Sequence, residues 1–394
     1  MASDDEKIQP EEAPPRQRRR LLTRRNSMTA IVLVVLLGIV IFMLTTVLYR
    51  YEVFDPYIKA QFVAKMSNIG IEFDAEVFRV TINPLTLELK NVTFNDKLTG
   101  EKLFFIRDAQ LVMTVKDLYS WQLSRDIVID KTEINGAEVW VKFDENGRSN
   151  FANLHLVEEE GSRVNFRYES ARVSIQDSVV HFGDFSRKIS GDAKNVLFFL
   201  EPENYEVPDE QRRYKFDLTS TDSNFVYDEK IVGNIDIRAA GVATRNGAEI
   251  SEFKLTTPIG ESTLVGTLTD WASPKYDLNI RSTIDLTQAA TLLPNGTAMT
   301  GIANFNGRVT GEGETYKIVG EADSQSLRAA GVYLQAVNIN ATVSGVNNSY
   351  GANGTAIARM LTFDDFRVDF LKLVGNVRGT GTDFRWLGDL QAAA

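Results

Sequence analysis

From Thr81 to Leu154 apolar and polar residues alternate along the chain. Leu85, Leu87 and Leu89 fall on one side, and Thr86, Glu88 and Lys90 on the other. Ala109, Leu111, Met113 and Val115 repeat the pattern, as do Val139 and Val141 with Phe143. A period of two predicts strands with one dry and one wet face. Turn signals separate the runs at 96–101 (DKLTGE), 134–137 (INGA) and 144–148 (DENGR). Asn-Gly between alternating segments is a strong hairpin cue. The stretch therefore reads as antiparallel strands sharing one apolar face.

The alternation continues to Leu390. Strands are expected within 162–183, 190–200, 234–240, 262–268, 276–282, 336–344 and 365–374, with further Asn-Gly cues at Asn246, Asn295 and Asn353. Three short helices interrupt the pattern. One starts at Asp55-Pro56, presents Ile58, Phe62, Met66 and Ile69 on one face and ends at Gly70; a second covers 115–123; a third follows Asp285 as N-cap, to 293. The first helix suits either a membrane surface or the body of the protein. The polar run 201–213 is the best break within the strand-rich part, between a region at 71–200 and another at 214–394.

Ahead of the strands lies a different kind of sequence. Residues 1–27 are polar and end in a basic cluster, Arg16, Arg18, Arg19, Arg20, Arg24 and Arg25. Residues 28–48 (MTAIVLVVLLGIVIFMLTTVL) carry no charge and are long enough to span a hydrocarbon core of about 30 Å. The run is longer than a signal-peptide core of about 7–15 residues, and Tyr49, Arg50 and Tyr51 follow it in place of a cleavage site. An uncleaved anchor is expected. The arginines place the N-terminus in the cytoplasm, with a juxtamembrane helix at 49–70 and the strand-rich body across the membrane.

Composition narrows the function. The 394 residues are 43% hydrophobic, which allows a large core, and the net charge of −10 argues against a nucleic-acid binder. There is no cysteine, so neither disulfides nor thiolate chemistry arise, and His155 and His181 are the only histidines. No zinc-protease, nucleophile-elbow or P-loop motif occurs. Asp364, Asp365 and Asp369 flank aromatics in a solvated pattern, and Gly311-Glu312-Gly313-Glu314 reads as a hairpin loop. The chain reads as a non-enzyme with no metal or cofactor.

Two stretches resemble the AsmA/TamB family of bacterial envelope proteins. The first is 83–154, with NPLTLELKNVTF, TGEKLFFI, INGAEVWV and ENGRSNFANL; the second is 263–345, with TLVGTLTDWASPKYDLNIRSTIDLTQAATLLP and FNGRVTGEGETYKIVGEADS. The resemblance implies a long sheet curled into a taco-like groove. It would project from an inner-membrane anchor into the periplasm and carry phospholipid towards the outer membrane. Some members of the family are linked to outer-membrane protein assembly instead. Family members are usually longer, which implies a shortened chain.

The expected fold is mainly β: an N-terminal transmembrane helix followed by a long antiparallel curled sheet, with a β-sandwich as the alternative. A sheet of more than about ten strands curls, closes or splits into layers. In a groove, Leu85, Leu87, Leu89, Leu111, Met113, Val115, Val139 and Val141 would face the ligand; in a sandwich they would be core. Two roles follow: a phospholipid carrier, or an anchored scaffold that binds an outer-membrane protein by strand addition at the C-terminal sheet edge.

Overall fold

The computed structural model describes residues 55–82, 84–115, 125–154, 164–167, 172–207, 211–227, 229–271, 273–292, 298–381 and 383–393. The predicted anchor at 28–48, its arginine cluster, the helix predicted beyond Val115, the Asn295-Gly296 cue and His155 lie outside them. Among the described residues no helix is long and apolar enough to cross a membrane.

Helix α1 (Asp55–Asn68) leads into β1 (Ile71–Ile82), β2 (Leu85–Asp96), β3 (Lys102–Val115) and β4 (Arg125–Phe143). Then come β5 (Val164–Arg167), β6 (Arg172–Asp184), β7 (Ile189–Pro202), β8 (Tyr214–Tyr227), β9 (Lys230–Thr244), β10 (Gly247–Thr257), β11 (Gly260–Thr269) and β12 (Lys275–Asp285). Helix α2 (Leu286–Ala290) precedes β13 (Met299–Thr300), β14 (Ile302–Glu312), β15 (Thr315–Ala329) and β16 (Val332–Val346). The chain finishes with β17 (Ser349–Ala358), β18 (Met360–Phe363), β19 (Phe366–Val368), β20 (Phe370–Thr380) and β21 (Asp383–Ala393).

All 21 strands belong to one sheet. Its long strands pair in chain order, and the pairing is antiparallel except where β4 takes β5 and β6 in parallel. The chain therefore rejoins the sheet at Val164, beside the Arg125 end of β4. Three long strands are each interrupted by a single residue: Gly301 divides β13 from β14, Arg359 divides β17 from β18, and Asp369 divides β19 from β20. Among the described residues the sheet does not close, since β1 pairs only with β2 and β21 only with β20. The polar 201–213 run begins inside β7, whose Glu201 and Pro202 are paired, and the ladder passes on from Leu197–Pro202 to Tyr214–Thr219.

The hairpin expectation fails at two Asn-Gly pairs. Asn135-Gly136 lies inside β4 and Asn353-Gly354 inside β17. Gly136 takes φ +69° and interrupts the ladder without shifting its register, rather than reversing the chain. Gly354 serves close approach, because a Cβ there would meet Ala341 on the next strand at 2.9 Å. The Asn246-Gly247 cue does join β9 to β10, and Gly313 (φ +55°) turns β14 into β15. Asp285 caps α2 as expected, its Oδ1 accepting from Thr287 N at 2.8 Å and Gln288 N at 3.3 Å.

Gly136 belongs to a row of ladder interruptions, which are register-shifting bulges on β6–β7 and β8–β9. Asn91, Asp177, Asn195 and Asp222 also have positive φ and occupy matching places on β2, β6, β7 and β8. Asn and Asp tolerate this left-handed region better than other side chains. Such an interruption strands backbone groups, and serines satisfy them. Ser178 Oγ accepts from Ala137 N (3.0 Å) and donates to Gln176 O (2.8 Å). Ser223 Oγ accepts from Lys194 N (3.0 Å), while Ser220 Oγ donates to Lys194 O (2.9 Å). All three serines are buried, so the hydroxyls answer backbone groups that water does not reach.

Candidate functional site

Residues facing each other across a ladder share a face, so register links the strands into rows. One row runs across the whole sheet. It begins Phe78, Leu89, Ala109, Ile134, Ile175, Phe198. It continues Leu218, Ala239, Phe253, Leu264, Ile280. It ends Gly307, Gly320, Ala341, Gly354, Gly375, Gly388. It contains no polar side chain. Two flanking rows in the distal half are apolar too: Leu278, Val309, Ile318, Val343, Ala352, Val377, Trp386, and Phe305, Ala322, Ile339, Ala356, Leu373, Leu390.

The opposite face is mainly polar, with Val265, Val319, Ile357 and Val374 exposed on it. Its matching row reads Arg281, Asn306, Glu321, Asn340, Thr355, Val374, Asp389. Ion pairs bridge its strands: Lys254 with Glu261 at 2.7 Å, Lys275 with Glu312 at 3.1 Å, and Arg308 with both Asp277 oxygens. The Arg308 hydrogen bond and charge hold the Asp277 carboxyl below its ordinary range. These pairs are solvent-exposed and add little stability.

Among the described residues the apolar face is covered at one end only. Phe62, Val63 and Met66 of α1 pack on a core of Phe73, Ala75, Phe78, Leu87, Leu89, Val92 and Ala109. Phe62 meets Phe73 edge-on, ring centroids 4.8 Å apart. Beside it the segment after β4 lays Phe151 against Phe104 at 5.3 Å. That segment is pinned by Asn153 Nδ2 donating to Asp96 Oδ2 at 2.7 Å and Asn150 Nδ2 donating to Trp140 O at 2.8 Å. Asp96 is 1% exposed. Burial pushes its carboxyl up, but bonds from Asn153, Leu98 N and Thr99 N outweigh that and hold it below its ordinary value.

Beyond this end, the substantial contacts among the described elements run between ladder neighbours, or between a helix and its adjacent strands. Among the described residues no second layer lies on the row from Ile175 onward. The side chains of the two faces nonetheless differ in exposure. In β15, Tyr316, Ile318 and Ala322 on the apolar face are half-buried, while Lys317, Val319 and Glu321 on the other are exposed.

The eight residues expected to line a groove divide between these environments. Leu87 and Leu89 are buried beneath α1, and Leu111 and Met113 pack half-buried against the same cluster. Leu85 pairs with Met113 and is half-buried. Val139 and Val141 lie on the same face, half-buried, opposite Phe104 and Phe182. Val115 ends β3 opposite Ile127, and its side chain is outside the described ones. The uncovered stretch holds residues that the sequence pattern alone does not single out, among them Ile175, Phe198, Leu264, Ile280 and Ile318. Each strand shows the alternation, but only register joins them into one surface.

The sequence shows no partner for His181, and the fold supplies one. Its ring stacks on Trp140 (centroids 5.1 Å, 18° between planes), and Nδ1 meets Asp192 Oδ1 at 2.7 Å. Asn224 donates to the other Asp192 oxygen at 3.2 Å. The set forms a cross-strand row on the polar face, a structural clasp. Among the described residues no group of three or more potential ligands could hold a metal. Comparison with protein-family models and with curated proteins finds no match to this chain.

Proposed function

We propose that this chain is an inner-membrane-anchored periplasmic carrier whose curled sheet forms a groove for the acyl chains of phospholipid, moving them between the inner and outer membranes. The observation that carries the reading is the apolar row from Ile175 to Gly388, which no described element covers. Exposed apolar surface on a monomer is ordinarily limited to a few hundred Å², and larger patches mark binding sites. Covering each CH₂ of a ligand there contributes about 0.8 kcal/mol.

A concave apolar face would account for the difference in exposure between the faces. With no layer above them among the described residues, the half-burial of Ile318 and its neighbours supports that curvature. The bulges on β6–β7 and β8–β9 favour such a bend, since bulges kink a strand and increase its local twist. The resemblance of 83–154 and 263–345 to the AsmA/TamB family supports the same cargo and compartment. The reading needs no cofactor, metal or catalytic step and no nucleic-acid partner.

Native mass spectrometry of the full chain, extracted in mild detergent, tests the proposal. Phospholipid is expected on the wild type and absent from a Leu264→Asp/Ile318→Asp variant that keeps the wild-type melting profile. A folded wild type that carries no lipid overturns the reading.

A second reading, a scaffold for outer-membrane proteins, rests on one observation. Every residue of β21 is exposed and its outer edge has no partner strand among the described residues, so a strand could add there. Edge mutations would abolish partner binding on this reading, and groove mutations would not.

A further inference from the structure

We propose that α1 is a displaceable stopper, seated on the first rows of the apolar face where an acyl chain would otherwise lie. This rests on the groove reading above. The rows beneath α1, through Phe78, Leu89 and Ala109, are the same rows that run on uncovered past Ile175. Phe62, Val63 and Met66 thus meet the surface that the ligand would meet, by the same nonspecific apolar contact. Ligand and helix compete for it.

The anchoring of the two coverings differs. The segment around Phe151 is fixed by a buried carboxylate, Asp96, and by Asn150 bonding to the backbone of β4 in both directions. It is a fixed wall. At the C-terminal end of α1 one tie is exposed, Lys97 Nζ donating to Ser67 Oγ at 2.6 Å. At its N-terminal end α1 is held to β1 by the buried Asp55 carboxylate, which accepts from Val80 N at 3.2 Å, and by Lys59 donating to Ala75 O at 2.6 Å, so undocking would open from the Ser67 end. A helix of 14 residues is marginal alone in water, so α1 persists only while docked. Gly70 (φ +90°) ends it and forms the joint to β1.

Hydrogen exchange read by mass spectrometry on the full chain in lipid nanodiscs tests this, with cis-parinaric acid as the fluorescent apolar probe. Saturating probe is expected to raise exchange across residues 58–66 about tenfold or more, while 150–154 stays protected. Lys97→Ala, which removes only the exposed anchor, is expected to tighten probe binding about two- to threefold by favouring the undocked helix. Phe62→Ala should do so more strongly. Probe bound with unchanged or slower exchange at 58–66 overturns the stopper and leaves the groove standing. No probe bound by any of the three proteins overturns both.

Discussion

Tyr316 lies across Gly345 on the adjacent strand, its hydroxyl occupying the space that a side chain at Gly345 would need. A Cβ at Gly345 would sit 2.6 Å from Tyr316 Oη and 2.5 Å from the Ser349 carbonyl oxygen. The arrangement recurs along one rim as Tyr276 over Gly311, Tyr316 over Gly345 and Tyr350 over Gly379. An aromatic ring laid on a cross-strand glycine restores the packing that the glycine lacks. Gly345→Ala is therefore expected to destabilise the sheet by about 1–3 kcal/mol through overpacking. In a urea-denaturation cycle with Tyr316→Ala, the two changes should couple by about 0.5 kcal/mol or more.

The serines that answer the ladder interruptions make a second prediction. Ser178→Ala leaves Ala137 N without its acceptor in a buried position, at a cost of about 1–3 kcal/mol. Ser174 is on the same strand and is not part of the seam, so Ser174→Ala should shift the urea midpoint far less. Equal shifts for the two variants would count against the seam.

Charge placed on the apolar face should separate its covered and uncovered parts. Leu89→Asp puts a carboxylate beneath α1 and is expected to cost more than about 3 kcal/mol or to prevent folding. Ile280→Asp on the uncovered stretch can reach water and should lower the melting temperature only slightly. Circular-dichroism melts of the two variants compare them directly. Similar losses would mean that the distal face is covered.

Acid should loosen the wall around Asp96. Its folded-state carboxyl is held below its ordinary value, so the stabilisation is present at neutral pH and is lost as pH falls through the folded value. Melting temperature is expected to stay level down to about pH 4 and fall below it. Asp96→Asn should flatten that fall. A variant with the same acid profile as the wild type would remove Asp96 from this role.

The strand-rich class, the Asp285 cap, the turns at 96–101 and 144–148, and the apolar side of each strand were all legible in the chain. Alternation is a local property, and end signals such as Gly70 after a helix act within a few residues. The two misplaced hairpins show the limit. Asn135-Gly136 has turn chemistry, yet Gly136 keeps its positive φ within a continuous β4, a choice made by the neighbouring strands. The apolar row was illegible for a related reason. Its distal members are Gly307, Gly320, Gly354, Gly375 and Gly388, which no hydrophobic pattern registers, and only pairing sets them in line with Leu264 and Ile280. Likewise nothing near Leu87 indicates that α1 covers it.

The single parallel step between β4 and β6 has a consequence for how the chain finds this structure. Elsewhere most strands meet their neighbours through a nearby turn or short connection, so loop closure costs little and pairing can spread quickly in either direction. At β4 the chain must first return the length of the strand before β6 can dock. The ribbon is thereby divided into two zippers: a short one of β1 to β4, closed by its helix, and a long one from β6 to β21. Joining them is the slow event, and until it happens each half presents an unpaired edge to whatever strand is nearest.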